Sequence, residues 1–242
     1  MVKIVIPSHK RANRVLTKFA VSNAILCVAE SQKSEYTEHS PNVEIVTHPD
    51  SVIGISNKRN WIIKYFESVM MVDDDIDKLV RVYTEQGENA TILPDVAHDI
   101  IQTTAHAARE AGAYVFGFSN SPNPVGYNSL NPITLTGFVN GCACGVLSGS
   151  KLWYNPDIRC NDDYWLSLLN AHYHRLVYRD TRFYFAQKNT FVNRGGNAEF
   201  RNLEAEKKDF EFLKRVFGNV IELRTNPRNA KHEFQKTMKL PF

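Results

Sequence analysis

Val69-Met70-Met71-Val72 runs directly into Asp73-Asp74-Asp75, with Ile76 and Asp77 behind. A buried strand ending in clustered carboxylates is how an α/β protein sets a divalent cation at the carboxyl edge of its sheet, where ligands bind. Three adjacent carboxylates repel one another unless a cation or solvent compensates, and hard oxygen donors suit Mg²⁺ or Mn²⁺ better than zinc. A solvated acidic turn is the plainer alternative, less common directly behind four apolar residues. A calcium loop counted from Asp73 is excluded, because Lys78 stands where glycine is needed and Thr84 where glutamate is needed. A phosphatase-type Asp-x-Asp nucleophile sits on the first strand of its fold and is followed by a small hydroxyl residue; Asp77 holds that place here. The acids therefore point to a metal and a phosphorylated substrate.

A second acidic pair, Asp162-Asp163, follows Asn161 and opens an apolar stretch through Trp165, Leu166, Leu168 and Leu169. Aspartate is favoured at helix starts, so capping is the structural alternative to catalysis. Gly141-Cys142-Ala143-Cys144-Gly145-Val146-Leu147-Ser148 reads as a strand whose glycines allow close backbone approach. Arg11, Lys58 and Arg59 supply cations at strand and helix ends, suited to phosphate oxygens.

These residues need a scaffold, and the chain is long enough to build one. Its 242 residues, 43% of them apolar, suit one sizeable domain. Apolar strands are expected at Val2–Pro7, Ile25–Ala29, Val43–Thr47, Val69–Val72, Tyr114–Phe118 and Gly141–Leu147. Helices are expected at Arg14–Ser22, at Gly54–Phe66 and at Val96–Ala111, the last opened by Pro94-Asp95 and closed by Gly112. This alternation predicts an α/β/α sandwich with a mainly parallel sheet. Cys27, Cys142, Cys144 and Cys160 form no C-x-x-C pair and read as reduced core thiols. No segment resembles a membrane span or signal peptide, so a soluble, cytoplasmic protein is expected, in the host cytoplasm if phage-encoded. After Glu211, seven basic residues face Glu222 and Glu233. The chain thus divides into a domain over 1–225 and a basic tail over 226–242, suited to a pyrophosphate or a nucleic-acid backbone, or simply to solvent.

The order and spacing of Val5-Ile6-Pro7-Ser8-His9-Lys10-Arg11, Gly54-Ile55-Ser56-Asn57-Lys58-Arg59-Asn60 and the Asp73–Asp75 strand end resemble the nucleotide-sugar half of a GT-A-type glycosyltransferase, over about residues 1 to 190. The resemblance implies that Pro7, Ser8 and Arg11 cradle a nucleotide. It implies that Lys58, Arg59 and Asn60 face the base or diphosphate. Asp73 and Asp74 would contact the donor, and Asp75 with Asp73 would hold Mn²⁺ or Mg²⁺. It further implies that Asp163 deprotonates the acceptor, with Asp162 as its neighbour or a sugar-hydroxyl ligand. Asn193-Arg194-Gly195-Gly196-Asn197 would close over the donor, a nucleotide sugar with UDP as the expected nucleotide, and His232 would be a third metal ligand.

Within that superfamily the wording of the three motifs and the small size resemble the phage transferases associated with TET/JBP oxygenases. Such enzymes glycosylate hydroxymethylated pyrimidines in DNA, which implies a DNA acceptor whose base is presented or flipped. Phe138, Tyr127, Tyr154, Trp153 and the basic tail, including Lys231, Lys236 and Lys239, would then contact DNA. Two other readings stay open: transfer to a polysaccharide, lipid or protein acceptor, and nucleotidyl transfer. The latter wants a glycine-rich loop after the first strand, and Pro7-Ser8-His9-Lys10-Arg11 has none. Oligomeric state is not encoded in any of these patterns.

Overall fold

A computed structural model describes residues 1–188, 202–224 and 235–240. In chain order the first part comprises β1 (Lys3–Pro7), α1 (Thr17–Ala20), β2 (Ile25–Ala29), α2 (Lys33–His39), β3 (Ile45–His48), α3 (Ile55–Phe66), β4 (Val69–Val72), β5 (Ile76–Arg81) and α4 (Pro94–Glu110). Then come β6 (Val115–Phe118), β7 (Ile133–Thr134), β8 (Ala143–Val146), α5 (Asp162–Tyr173), β9 (Val177–Asp180), β10 (Phe183–Gln187), α6 (Leu203–Phe217), β11 (Ile221–Leu223) and β12 (Lys236–Met238).

The main sheet has the order β3-β2-β1-β4-β8-β6-β9-β7. Strands β3, β2, β1 and β4 are mutually parallel, β8 runs antiparallel between β4 and β6, and β6 is parallel to β9. Central strands read as unbroken apolar runs because both faces of the sheet are covered. Ile4, Ile6, Leu26, Val28, Met70 and Val72 pack with Ile101, Ala105 and Ala108 of α4 on one face. Val5, Cys27, Val69 and Met71 point the other way, onto Ile62 of α3, Trp165 and Leu166 of α5 and Leu213 of α6. Alternate strand residues thus fill two separate cores, the signature of three stacked layers. Gly145 lets β8 enter this sheet, since a Cβ there would lie 2.0 Å from the Phe116 ring.

The expected helix over Arg14–Ser22 is mostly absent: a 3-10 turn at Ala12–Arg14 precedes the four-residue α1. Instead, the Leu16 N–H donates to the Asp74 carbonyl at 2.9 Å, and the Thr17 hydroxyl donates to the Asp73 carbonyl. The strand end thereby draws this segment into its own turn. Beyond Asp75 the chain continues as β5, which pairs antiparallel with β10 in a separate two-stranded ribbon. Within the segment expected as a tail, Lys236–Met238 pairs with Ile221–Leu223. Among the described residues no helix is long and apolar enough to cross a membrane.

Candidate active site

Because β1 and β4 are parallel neighbours, their carboxyl ends place the Ser8–Arg11 loop beside the Asp73–Asp75 turn. The middle acid, Asp74, turns inward and is 5% exposed. The Ser8 hydroxyl donates to its Oδ2 at 2.5 Å, and Arg11 Nη1 donates to its Oδ1 at 2.9 Å. The Tyr36 hydroxyl lies 2.7 Å from Ser8 Oγ and accepts the Arg11 N–H at 3.0 Å. Lys58 is buried and its ammonium donates to the Ser8 carbonyl at 2.5 Å. Burial pushes that ammonium down to about 8. Asp74, Tyr36 and Lys58 together give the loop after β1 one shape.

Arg59, on α3, is buried and joins three elements. Its Nη1 donates to Asp162 Oδ2, and its Nη2 donates to Asp73 Oδ1 at 3.0 Å and to the Gly141 carbonyl at 2.9 Å. The end of β4, the approach to β8 and the start of α5 are therefore fixed relative to one another by one guanidinium, whose planar fork suits two carboxylates at once. Gly141 permits this crowding: a Cβ there would lie 3.0 Å from Arg59 Nη1 and 3.1 Å from the Asp163 Cβ. Neighbouring Asn60 accepts the Tyr154 N–H and donates to the Tyr154 carbonyl, both at 2.7 Å. Both ends of its amide hold the 153–155 segment in place.

Asp73, Asp74, Asp75, Asp162 and Asp163 gather around this edge against few cations. Asp73 is pushed up to about 7 by burial, opposed by Arg59 and reinforced by Asp75, Asp74 and Asp162. Burial raises Asp75 too, with the Gln187 amide opposing it. Asp163 is pushed up to about 6 by burial and by the adjacent Asp162. An acid poised near neutrality can accept a proton from a hydroxyl and later release it. Asp75 has a neutral partner, with Gln187 Nε2 donating to its Oδ1 at 3.1 Å, and its carbonyl accepts the Lys188 N–H at 3.0 Å.

A hard cation fits this donor set. A cation would offset the excess of negative charge, and the hydrogen-bond partner of the Asp75 carboxylate is an amide rather than a charged group. Among the described residues no three metal-binding side chains converge into a ready-made cage. Mg²⁺-type sites on phosphate substrates use one or two carboxylates and complete their shell with water and phosphate oxygens. His232 and the Asn193–Asn197 loop lie outside the described residues.

The structure corrects part of the expected DNA surface. Tyr154 is fully buried, with its ring 5.5 Å from the Arg59 guanidinium, and cannot touch a duplex. Lys236 is 6% exposed and its ammonium donates to Glu206 at 2.7 Å, because the strand that carries it folds onto the domain. Trp153 is partly exposed and packs edge-on against Trp165, Phe138 lies 4.7 Å from Tyr164, and Tyr127 stacks on exposed Tyr83. Gln187 and Tyr36 escaped the sequence reading, since neither residue type nor spacing marks them as site residues.

The family model described as TET-Associated Glycosyltransferase matches residues 2–196. No curated protein matches the chain. Among solved structures, residues 1–349 of S. aureus TarS in complex with UDP-GlcNAc superpose with a TM-score of 0.54 at 12% identity, over 89% of this chain and 65% of that one. A second structure of S. aureus TarS 1–349 gives a TM-score of 0.48 at 13% identity, over 96% and 77%. The chain thus spans slightly less than two thirds of the first TarS structure. At this identity the likeness shows the fold, a GT-A-like α/β/α sandwich.

Proposed function

The chain belongs to the TET-associated glycosyltransferase family, and on that premise we propose that it moves a sugar from a UDP-sugar to the hydroxymethyl oxygen of a 5-hydroxymethylpyrimidine in DNA, with Mn²⁺ or Mg²⁺ bound at Asp75. One observation carries the reading: Arg59 ties Asp73 to Asp162, so the strand end suited to a diphosphate and the acidic pair suited to an acceptor stand side by side. The UDP-GlcNAc complex of TarS supports a UDP-sugar donor. The family's TET association supports an acceptor that an oxygenase has hydroxylated.

Pro7, Ser8 and Arg11 form the nucleotide wall, shaped by Asp74, Tyr36 and Lys58. Asp75 is the principal metal carboxylate, with Asp73 beside it. A bound cation supplies charge neutralisation for the departing diphosphate. Asp163 takes the acceptor's proton as the hydroxymethyl oxygen attacks the anomeric carbon, and the bond from that carbon to the diphosphate oxygen breaks. Asp162, held by Arg59, orients the turn, and its negative charge raises the affinity of Asp163 for that proton.

Incubation with radiolabelled UDP-sugars, Mn²⁺ and matched duplexes tests the proposal. Label should enter DNA containing 5-hydroxymethylcytosine or 5-hydroxymethyluracil and spare the unmodified duplex. Transfer to neither, with UDP still bound, would return the acceptor to a polysaccharide, lipid or protein.

A further inference from the structure

The start of α5 lacks the fixing that its own sequence ought to supply. Asn161 occupies the N-cap position, yet its side chain makes no capping hydrogen bond. The Asn161 amide turns toward α6 instead and donates to Glu206 Oε2 at 3.2 Å and to Asp209 Oδ2 at 3.1 Å. Glu206 and Asp209, three residues apart, share one face of α6. Asp209, 2% exposed, also accepts the Arg159 N–H at 3.1 Å and the Cys160 N–H at 2.7 Å. Lys236 of β12 closes the group, its ammonium on Glu206 and its carbonyl accepting the Tyr164 hydroxyl at 3.2 Å. Every residue from Arg159 to Asn161, and Tyr164 beyond the acid pair, is therefore held from α6 and β12. Those two elements lie beyond residue 196, where the family match ends.

We propose that Glu206, Asp209 and Lys236 are positioning residues for transfer, a carboxyl-terminal clamp that sets where the Asp162-Asp163 turn stands relative to the donor edge. This rests on the reading of Asp163 as the acceptor's base. Arg59 holds Asp162 while the clamp holds Asn161 and, through the Lys236 carbonyl, Tyr164, so Asp163 lies in the chain between two held residues. Buried ion pairs of this kind stabilise little by themselves but fix geometry when every group is satisfied, and breaking one partner leaves the other charged and alone. The side chain of Lys236 is 3% exposed and that of Glu206 13%, so solvent cannot replace either.

Full-length Lys236→Met, Lys236→Arg and Glu206→Gln should be compared with Lys207→Met, whose exposed partner Glu211 lies elsewhere on α6. Lys236→Met should raise amide exchange at residues 159–164 about tenfold while the β1–β4 amides keep their protection. It should also lower kcat for transfer to 5-hydroxymethylcytosine DNA about ten- to a hundredfold, with UDP affinity unchanged. Lys236→Arg should restore both readings, and Lys207→Met should alter neither. Unchanged exchange at 159–164 in both Lys236→Met and Glu206→Gln, or a rise spread evenly over the chain, would overturn the clamp. Asp163→Asn, run alongside, separates the two ideas. If it transfers normally the base assignment fails, while the exchange pattern still judges the clamp without reference to any acceptor.

Discussion

Asp73 and Asp162, distant in the chain, share the guanidinium of Arg59, one on each of its terminal nitrogens. The first lies at the end of β4 and the second at the start of α5, so these two element ends are mechanically one piece. Lysine cannot make both contacts, because an ammonium is a point charge without a planar fork. Arg59→Lys should therefore destabilise the protein by about 3 kcal/mol, the scale for breaking a buried pair, and lower transfer more than a hundredfold. Thermal unfolding and initial rates check this, and near-normal turnover would mean that the bridge does not set the geometry.

Asp75 should couple metal to nucleotide. In calorimetry UDP should bind far more tightly with Mn²⁺ than without it, and Asp75→Asn should abolish the difference while retaining the fold. Asp74→Asn should behave differently. It loosens the contacts to Ser8 and Arg11, so UDP affinity should drop with and without metal alike. Equal UDP affinity in both buffers for the unaltered chain would remove the metal from the mechanism.

If Asp163 is the base, it should set the acid limb of the rate. The proton is held up to about 6 in the folded chain against an ordinary 3.8. The carboxylate is the active form, so transfer should fall as pH drops below about 6. The stability sign is opposite. The folded state binds this proton more tightly than the unfolded state, so the contribution from Asp163 is present at low pH and lost as pH rises from about 4 to about 6. Asp163→Asn should flatten that limb and cost about 10²–10⁴-fold in kcat, the usual reach of general-base catalysis. An unmoved limb in that variant would assign the titration to another group.

How much of this was readable beforehand follows from where each interaction lies in the chain. The strand ends and the helix at Gly54 were legible because apolar runs covered on both faces leave an unbroken pattern, and Gly54 at φ 84° marks a helix entry that glycine favours. The ribbon of β5 and β10 was not, since Asp77, Lys78 and Arg81 break any apolar alternation and its stability comes from the partner strand. For α6 the signal existed in Leu203, Phe210, Leu213 and Phe217, spaced for one helical face, but the acidic and basic residues between them mask it. Lys236 shows the limit most sharply. Residue type gives its charge, but only the fold shows that Glu206 neutralises it.

Burial takes Lys236 out of the expected DNA surface, while Lys231 lies outside the described residues. Lys236, buried against Glu206, should contribute little to counterion release, whereas Lys239 stays exposed beside Glu222. Exposed Lys78 and Lys188 flank the Asp75 turn, where the proposed acceptor duplex would approach, and the Lys188 N–H bonds the Asp75 carbonyl. Affinity for a duplex containing 5-hydroxymethylcytosine should fall linearly with log salt. Replacing Lys78 and Lys188 by glutamine should reduce the slope by about 1 for each phosphate that is no longer neutralised. UDP affinity should stay as it was. Tyr83→Ala, which removes the exposed half of the Tyr83–Tyr127 stack, should raise the acceptor KM without changing the salt slope, since stacking carries no counterions. A slope indifferent to Lys78 and Lys188 would place the duplex on another face. Binding indifferent to salt altogether would argue against a nucleic-acid acceptor.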